Sequence, residues 1–253
     1  MHSLPYFDKY YPVRTVYTDN EIWRQCKDWQ DVNIRRDALQ DYLCVPLKQV
    51  LYAREVHSGN VFAFEAETGG SLAFGEKTDV QALSDGYDAL VTDVSGILLC
   101  IWTADCLPLY LYDTEKHIAA IAHCGWRGIL GGIVSNTVCT MTDRFGADPA
   151  HIIAGFGPGI CGNCYEVSED LHEAFLGRFS PDEMEAIFRL QPSEKYLLDL
   201  RKAIRFELCR IGILAERICS TEICSYESEA YASYRRNGPT EPARQILSGI
   251  VLR

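Results

Sequence analysis

Three residues of this chain close apolar, strand-like runs and can bind a soft or borderline metal. His57 ends VLYAREV, Cys106 ends GILLCIWTAD and His123 ends HIAAIA. Strands that lie side by side deliver their end residues to one place. Two imidazoles and a thiolate are donors that zinc prefers, and three protein ligands leave a fourth position for water. Zinc lowers the pKa of that water toward ~7. The spacing is long and irregular, unlike a zinc finger, and the plain alternative is a core cysteine with two surface histidines. Asp105, beside Cys106 in TADCLP, is a candidate acid or base. Cys124 should point away from His123, since neighbours on a strand face opposite sides.

Other residues are weaker candidates. Arg35 and Arg36, Arg127, and Arg235 and Arg236 can supply a locally basic pocket for a small anion. Gly125 to Gly132 precede a helical pattern, which suits an anion or close packing of helix on sheet. The ending GK[ST] is missing, so this is no P-loop. Cys161 and Cys164 form a lone CxxC with no partner CxxC, which disfavours a zinc ribbon; its Gly-Pro turn is expected to shape a pocket wall. His2, His117, His151 and His172 are assigned no chemistry. Tyr226, Tyr231 and Tyr234 are expected to pack, with stacking on a flat ligand as the alternative. Cys100, Cys139 and Cys209 sit in apolar patterns and are expected to be plain core residues.

These residues need elements to position them. NIRRDALQDYLCVP reads as a helix stopped at Pro46. VFAFEAE reads as an alternating strand and residues 68–79 as a loop. DGYDALVTDVSGILLCIWTADC reads as two strands around the Ser95-Gly96 turn, and LPLYLYD with HIAAIAH as a hairpin about Asp113 to Lys116. After His123 the period changes: Ile129, Ile133, Thr137 and Met141 recur at helical spacing, with Gly146 as the C-cap. HIIAGFGPGI is a buried strand entering a Gly-Pro turn. VSEDLHEAFLGRF is helical with Ser168 as N-cap, LDLRKAIRFELCRIG is a helix ending at Gly212, and RICSTEIC is strand-like. The tail is a loop, YASYRRNG, and a last strand. No Pro/Gly/Ser-rich linker divides the chain, so one mixed α/β layered domain over residues 1–253 is expected.

Composition narrows the function. The 253 residues are 47% hydrophobic and 23% charged, ordinary for a globular protein. A net charge of −11 repels phosphate polymers, so nucleic acid is not an expected partner. The apolar runs are too short to span a bilayer, so no membrane partner is expected. No secretory signal is evident and the 11 cysteines are odd in number, so a cytoplasmic protein with reduced thiols is expected.

The motifs TADCLPLYLYD, AHCGWRG, GPGICGNCYEV, LLDL and SYRR resemble, in order, the family known as multicopper polyphenol oxidoreductase (laccase-like) or peptidoglycan editing factor. That family includes purine nucleoside phosphorylases of the laccase-domain-containing type. The resemblance covers about Arg54 to Arg236 and implies a mixed α/β layered fold. It implies that His57, Cys106 and His123 hold the metal, and it places Arg36 near a substrate-contacting arginine. The first motif here reads EVHS, with Glu55 and Ser58 where the family has Gln and Gly. The third has Cys124 in place of Ala. Neither change removes a ligand.

The activity implied by the resemblance is zinc-dependent: phosphorolysis of adenosine, inosine, guanosine and methylthioadenosine, and deamination of adenosine. The expected partners are then a purine nucleoside and phosphate. Asp105 would shuttle protons beside Cys106 and His123, and Arg36, Arg127 and Arg235 would clamp phosphate. Three rivals use the same sequence. A cysteine amidase acting on peptidoglycan precursors would use Cys106 as nucleophile and His123 or His57 as base. A copper-dependent laccase needs more imidazoles than six histidines supply. A non-catalytic binding module would scatter the three residues in space.

Overall fold

The computed structural model describes every residue except 27, 30, 66–79, 83–85 and 240–243. The loop expected over 68–79 therefore lies outside the described residues. In chain order the strands are β1 (Val13–Tyr17), β2 (Gln49–Tyr52), β3 (Val61–Phe64), β4 (Val80–Ala82), β5 (Ala89–Thr92), β6 (Ile97–Thr103) and β7 (Leu107–Asp113). They continue as β8 (Ile118–Cys124), β9 (Ile152–Phe156), β10 (Glu166–Val167), β11 (Phe188–Leu190), β12 (Tyr196–Leu198), β13 (Ile218–Ser220) and β14 (Ile246–Leu252). The helices are α1 (Pro5–Tyr10), α2 (Asn20–Gln25), α3 (Val32–Leu43), α4 (Trp126–Leu130) and α5 (Ile133–Phe145). They continue as α6 (Glu169–Phe175), α7 (Pro181–Ile187), α8 (Leu200–Ile211) and α9 (Tyr234–Asn237).

Two sheets carry the architecture. One has the order β1-β14-β6-β2-β4, the other β13-β9-β7-β8-β5-β3, and a small third sheet runs β10-β12-β11. Period-2 alternation explains the layering. On β7, Leu107, Leu109 and Leu111 enter a core with Val134, Val138 and Met141 of α5 and Ile204 and Leu208 of α8. Tyr110 and Tyr112 point the other way and meet Leu99, Ile101 and Ile250 of the five-stranded sheet. On β6, Leu98 and Cys100 turn outward against Leu39 and Leu43 of α3. The order of layers is thus helices, six-stranded sheet, five-stranded sheet, helix. Strands buried on both faces read as continuous apolar runs. Each fully buried Leu on them contributes about 1.5–3 kcal/mol.

The mixed layered α/β fold matches the expectation, and several element ends fall where local chemistry put them. β7 and β8 form the hairpin, in register from Leu107 opposite Cys124 to Asp113 opposite Ile118. Its turn is held by Asp113 Oδ1, which accepts from Glu115 N and Lys116 N, both at 2.8 Å. Gly146 (φ 71°) ends α5 and Gly212 (φ 112°) ends α8.

β5 and β6 flank the Ser95-Gly96 turn as expected, and that turn carries the chain from one sheet to the other. Other expectations need correction. The helix after His123 is broken, because Gly132 adopts φ 84° between α4 and α5. Cys139 and Cys209 are exposed, each lying one residue off the buried face of its helix. YASYRRNG includes one helical turn, α9, capped by Ser233 Oγ, which accepts from Arg236 N. Among the described residues, no helix is long and apolar enough to cross a membrane.

Candidate functional site

His57, Cys106 and His123 do converge, by a route different from three adjacent strand ends. β2 and β6 are parallel neighbours in the five-stranded sheet, but β8 belongs to the other sheet. His57 lies in a turn beyond β2, Cys106 links β6 to β7, and His123 sits inside β8. The site therefore lies where the ends of the two sheets meet. One donor atom from each residue lies within 4.8 Å of the other two. Cys106 Sγ is 4.0 Å from His57 Nε2, and the two imidazole centroids are 4.8 Å apart at 77°. Cys124 points to the opposite face and is buried in the helix-side core.

A residue that the sequence reading missed organises this geometry. Asp88 is fully buried just before β5. Its Oδ1 accepts from His57 N at 3.0 Å and faces His123 Nδ1 at 2.9 Å. Its Oδ2 accepts from Val56 N at 3.2 Å, Ser58 N at 2.7 Å and Ser58 Oγ at 2.8 Å. One carboxylate thus forms the turn that carries His57, which sits at φ 59°. It also fixes the His123 ring, leaving Nε2 as the donor atom. This is the carboxylate–histidine pairing that orients metal-binding imidazoles. The only sequence signal was an acid directly before an apolar strand.

Glycines make the approach feasible. A Cβ on Gly125 would stand 2.9 Å from Cys106 Sγ and 3.1 Å from His57 Cδ2, inside the space between donors. A Cβ on Gly59 would collide with the Gly131 carbonyl oxygen, so this glycine lets the His57 turn press against the α4–α5 break. Asn136 Nδ2 donates to Gly59 O at 2.8 Å and secures that contact.

Asp105 has φ 92°, a conformation rare for a residue with a side chain. Hydrogen bonds hold it there. Its carboxylate accepts from Ser225 Oγ and Arg235 N, both at 2.6 Å, and its carbonyl accepts from Ile160 N at 2.8 Å. Asp105 therefore anchors the turn that presents Cys106.

A cavity of about 490 Å³ opens over the three residues. Trp102, Trp126, Tyr165 and Tyr234 supply aromatic walls, and Glu55, Asp105, Arg127 and Arg235 supply charge. Arg127 stacks on Trp126 at 4.2 Å and Arg235 on Tyr165 at 5.0 Å. Arg235 Nη1 also donates to Glu166 O at 2.7 Å. Arg36 is not on this wall; its Nη2 donates to Leu47 O at 3.0 Å. Its neighbour Arg35 stacks beneath Tyr52 and Trp102. Of the three tyrosines expected to pack, Tyr231 does so against Tyr17, whereas Tyr234 reaches the cavity.

The charges at the centre are mutually supporting. Burial alone would push the Cys106 thiol up, but His123 and His57 outweigh it and bring it down to about 6. Burial alone would lower His123, yet Cys106 and Asp88 raise it to about 10. Burial opposes ionisation of Asp88 as well, and its bonds to His123 and Ser58 hold it down at about 2. A thiolate beside two imidazoles backed by a carboxylate is a donor set that suits zinc. The remaining histidines are elsewhere: His2 on Asp19, His117 on Tyr112, His172 stacked on Tyr196, and His151 beyond α5. A multi-copper cluster would need imidazoles that this fold does not bring together.

The chain matches, over residues 15–251, the family described as multi-copper polyphenol oxidoreductase laccase. It is 36% identical over 198 residues to adenosine deaminase RL5 from an unknown prokaryotic organism, a match covering 78% of this chain and 73% of that protein. It is 31% identical over 214 residues to purine nucleoside phosphorylase YlmD of Geobacillus stearothermophilus, covering 84% of this chain and 76% of that one. The crystal structure of hypothetical protein YfiH from Bacillus licheniformis superposes with a TM-score of 0.74 at 28% identity, over 88% of this chain and 82% of that one. The order of motifs, the layered fold and these matches together show that the chain belongs to the multi-copper polyphenol oxidoreductase laccase family.

Proposed function

We propose that this chain is a zinc-dependent purine nucleoside enzyme that phosphorolyses adenosine, inosine, guanosine and methylthioadenosine and deaminates adenosine. The observation that carries the reading is the convergence of His57, Cys106 and His123 beneath a cavity with flat aromatic walls and two arginines. The names of the relatives, adenosine deaminase and purine nucleoside phosphorylase, support it. A zinc ion held by the three residues supplies Lewis acidity at neutral pH. The protein supplies the rest. Trp102 and Tyr165 offer faces on which a purine can stack. Arg127 and Arg235, pre-oriented by their own ring contacts, are placed to hold phosphate by charge-assisted hydrogen bonds. Proton transfer falls to the wall carboxyls, Asp105 and Glu55.

The test is incubation of purified, metal-analysed protein with adenosine, with and without inorganic phosphate. Adenine and ribose 1-phosphate formed only with phosphate mark phosphorolysis, and inosine marks deamination. No turnover of any purine nucleoside overturns the reading.

One observation favours a second reading. Cys106 Sγ stands on the cavity wall within reach of an imidazole, as a cysteine amidase requires. The two readings separate in Cys106→Ser: the cavity zinc is lost if the sulfur is a ligand and persists if it is only a nucleophile.

A further inference from the structure

The CxxC at Cys161 and Cys164 has no partner CxxC in the sequence, but the fold supplies one of another kind. Cys224 and Glu227 come to it from the segment after β13. Cys164 Sγ lies 3.3 Å and Cys161 Sγ 3.9 Å from Glu227 Oε1. The Cys161 N–H points at Cys224 Sγ, 3.3 Å away. One donor atom from each of the four residues lies within 4.8 Å of the others. Tetrahedral zinc, with Zn–S about 2.3 Å and Zn–O about 2.0 Å, needs donor atoms roughly 3.5–3.8 Å apart. Small side-chain shifts bring this cluster to that spacing.

We propose that Cys161, Cys164, Cys224 and Glu227 form a second, structural zinc site. Three thiolates and a carboxylate fill all four positions, so this centre is closed, unlike the three-ligand centre in the cavity. Hydrogen bonds tie together the two segments that carry the cluster. Ser225 N donates to Gly159 O at 3.1 Å and Gly159 N to Ile223 O at 3.3 Å. Arg201 Nη2 spans the same two segments, donating to Gly159 O at 3.3 Å and to Ile223 O at 2.8 Å. Cys224 is buried, Cys161 and Cys164 are half-buried and Glu227 is exposed, so an ion enters from the Glu227 side.

The location gives the ion a purpose. The first segment carries Ile160 and Tyr165 of the cavity wall, and Ile160 N holds the Asp105 carbonyl. The second carries Ser225, which holds the Asp105 carboxylate. Pinning both segments steadies the strained turn that presents Cys106, with no contact to substrate.

The test uses the full chain purified under reducing conditions, with zinc counted per chain. Two zinc ions are expected in the wild type, one in Cys106→Ser and one in the double variant Cys161→Ser, Cys164→Ser. Cobalt exchanged into Cys106→Ser should show the intense thiolate-to-metal charge transfer of a site with several sulfurs. If the double variant does not fold, Cys106→Ser decides alone, since it leaves the cluster untouched. The proposal is overturned if Cys106→Ser carries no zinc and shows no sulfur charge transfer with cobalt. It is equally overturned if the three cysteines resist zinc because two of them are joined in a disulfide under these conditions. Failure of the cavity centre would look different: wild type and Cys106→Ser would then hold the same amount of zinc.

Discussion

Replacing Asp88 by Asn keeps shape and removes one acceptor from the group on which both histidines depend. The amide nitrogen must take one of two places, and both are costly. In the Oδ1 place it faces His57 N–H and His123 Nδ1. Donating to Nδ1 moves the imidazole proton to Nε2, the metal-binding atom, and His57 N–H is left unpaired. In the Oδ2 place it faces the N–H groups of Val56 and Ser58, and both lose their acceptor. An unpaired buried donor costs about 1–3 kcal/mol. A loss of about 2–4 kcal/mol is therefore expected, which lowers Tm of the metal-free chain by about 4–16 °C for a protein of this size. Zinc affinity should fall about 10–100-fold, the usual consequence of losing the carboxylate behind a ligating imidazole. Competition with a chromophoric chelator measures the affinity, and calorimetry of the metal-free protein measures Tm. Both quantities unchanged in Asp88→Asn would refute the claim that this carboxylate builds the site.

Gly125→Ala puts a methyl 2.9 Å from Cys106 Sγ; the cavity zinc should be lost while far-ultraviolet dichroism stays native, and a variant that retains the wild-type zinc count would show the glycine to be incidental. Arg235→Ala removes a charge-assisted contact of about 1.5–3 kcal/mol, so KM for phosphate should rise about 10–100-fold with little change in KM for the nucleoside; equal effects on both would argue against a phosphate role. Glu207 is buried beside Arg178, 2.6 Å away, and burial raises its carboxyl above the ordinary 4.5 despite that partner. A group raised in the fold contributes stability that is full below its ordinary pKa and is lost as pH rises through the folded value. The Tm of the wild type should therefore drop relative to Glu207→Gln as pH rises above the ordinary 4.5, and a pH-independent difference would contradict this.

Much of the fold was legible locally. Two apolar runs, LPLYLYD and HIAAIAH, on either side of the Asp113 to Lys116 turn announced the β7–β8 hairpin, because both strands are buried on two faces. Gly146 and Gly212 marked helix ends because a left-handed residue is cheapest as glycine. The partnership of strands was not legible. The turn at Ser95-Gly96 suits a hairpin and a sheet-to-sheet crossing equally well, and the choice depends on which faces find cores. The same limit hid the break between α4 and α5 at Gly132, against which the His57 turn packs through Gly59 and Gly131. Arg36 and Arg35 are neighbours on one helix, yet Arg35 reaches under Trp102 and Arg36 turns to Leu47. Helical rotation and the surrounding walls set that difference.

The three candidate metal ligands could be picked out from residue type and motif order, because a thiolate and two imidazoles are scarce and chemically distinctive. Their support could not. Asp88 is an unremarkable acid until the fold sets it, 31 residues from His57 and 35 from His123, with both histidines around one carboxylate. Cys224 and Glu227 likewise acquire meaning only beside Cys161 and Cys164, sixty or more positions away. Ligand identity is written in side-chain chemistry, whereas orientation and closure of a site come from hydrogen bonds between distant segments, and those exist only once the two sheets have packed.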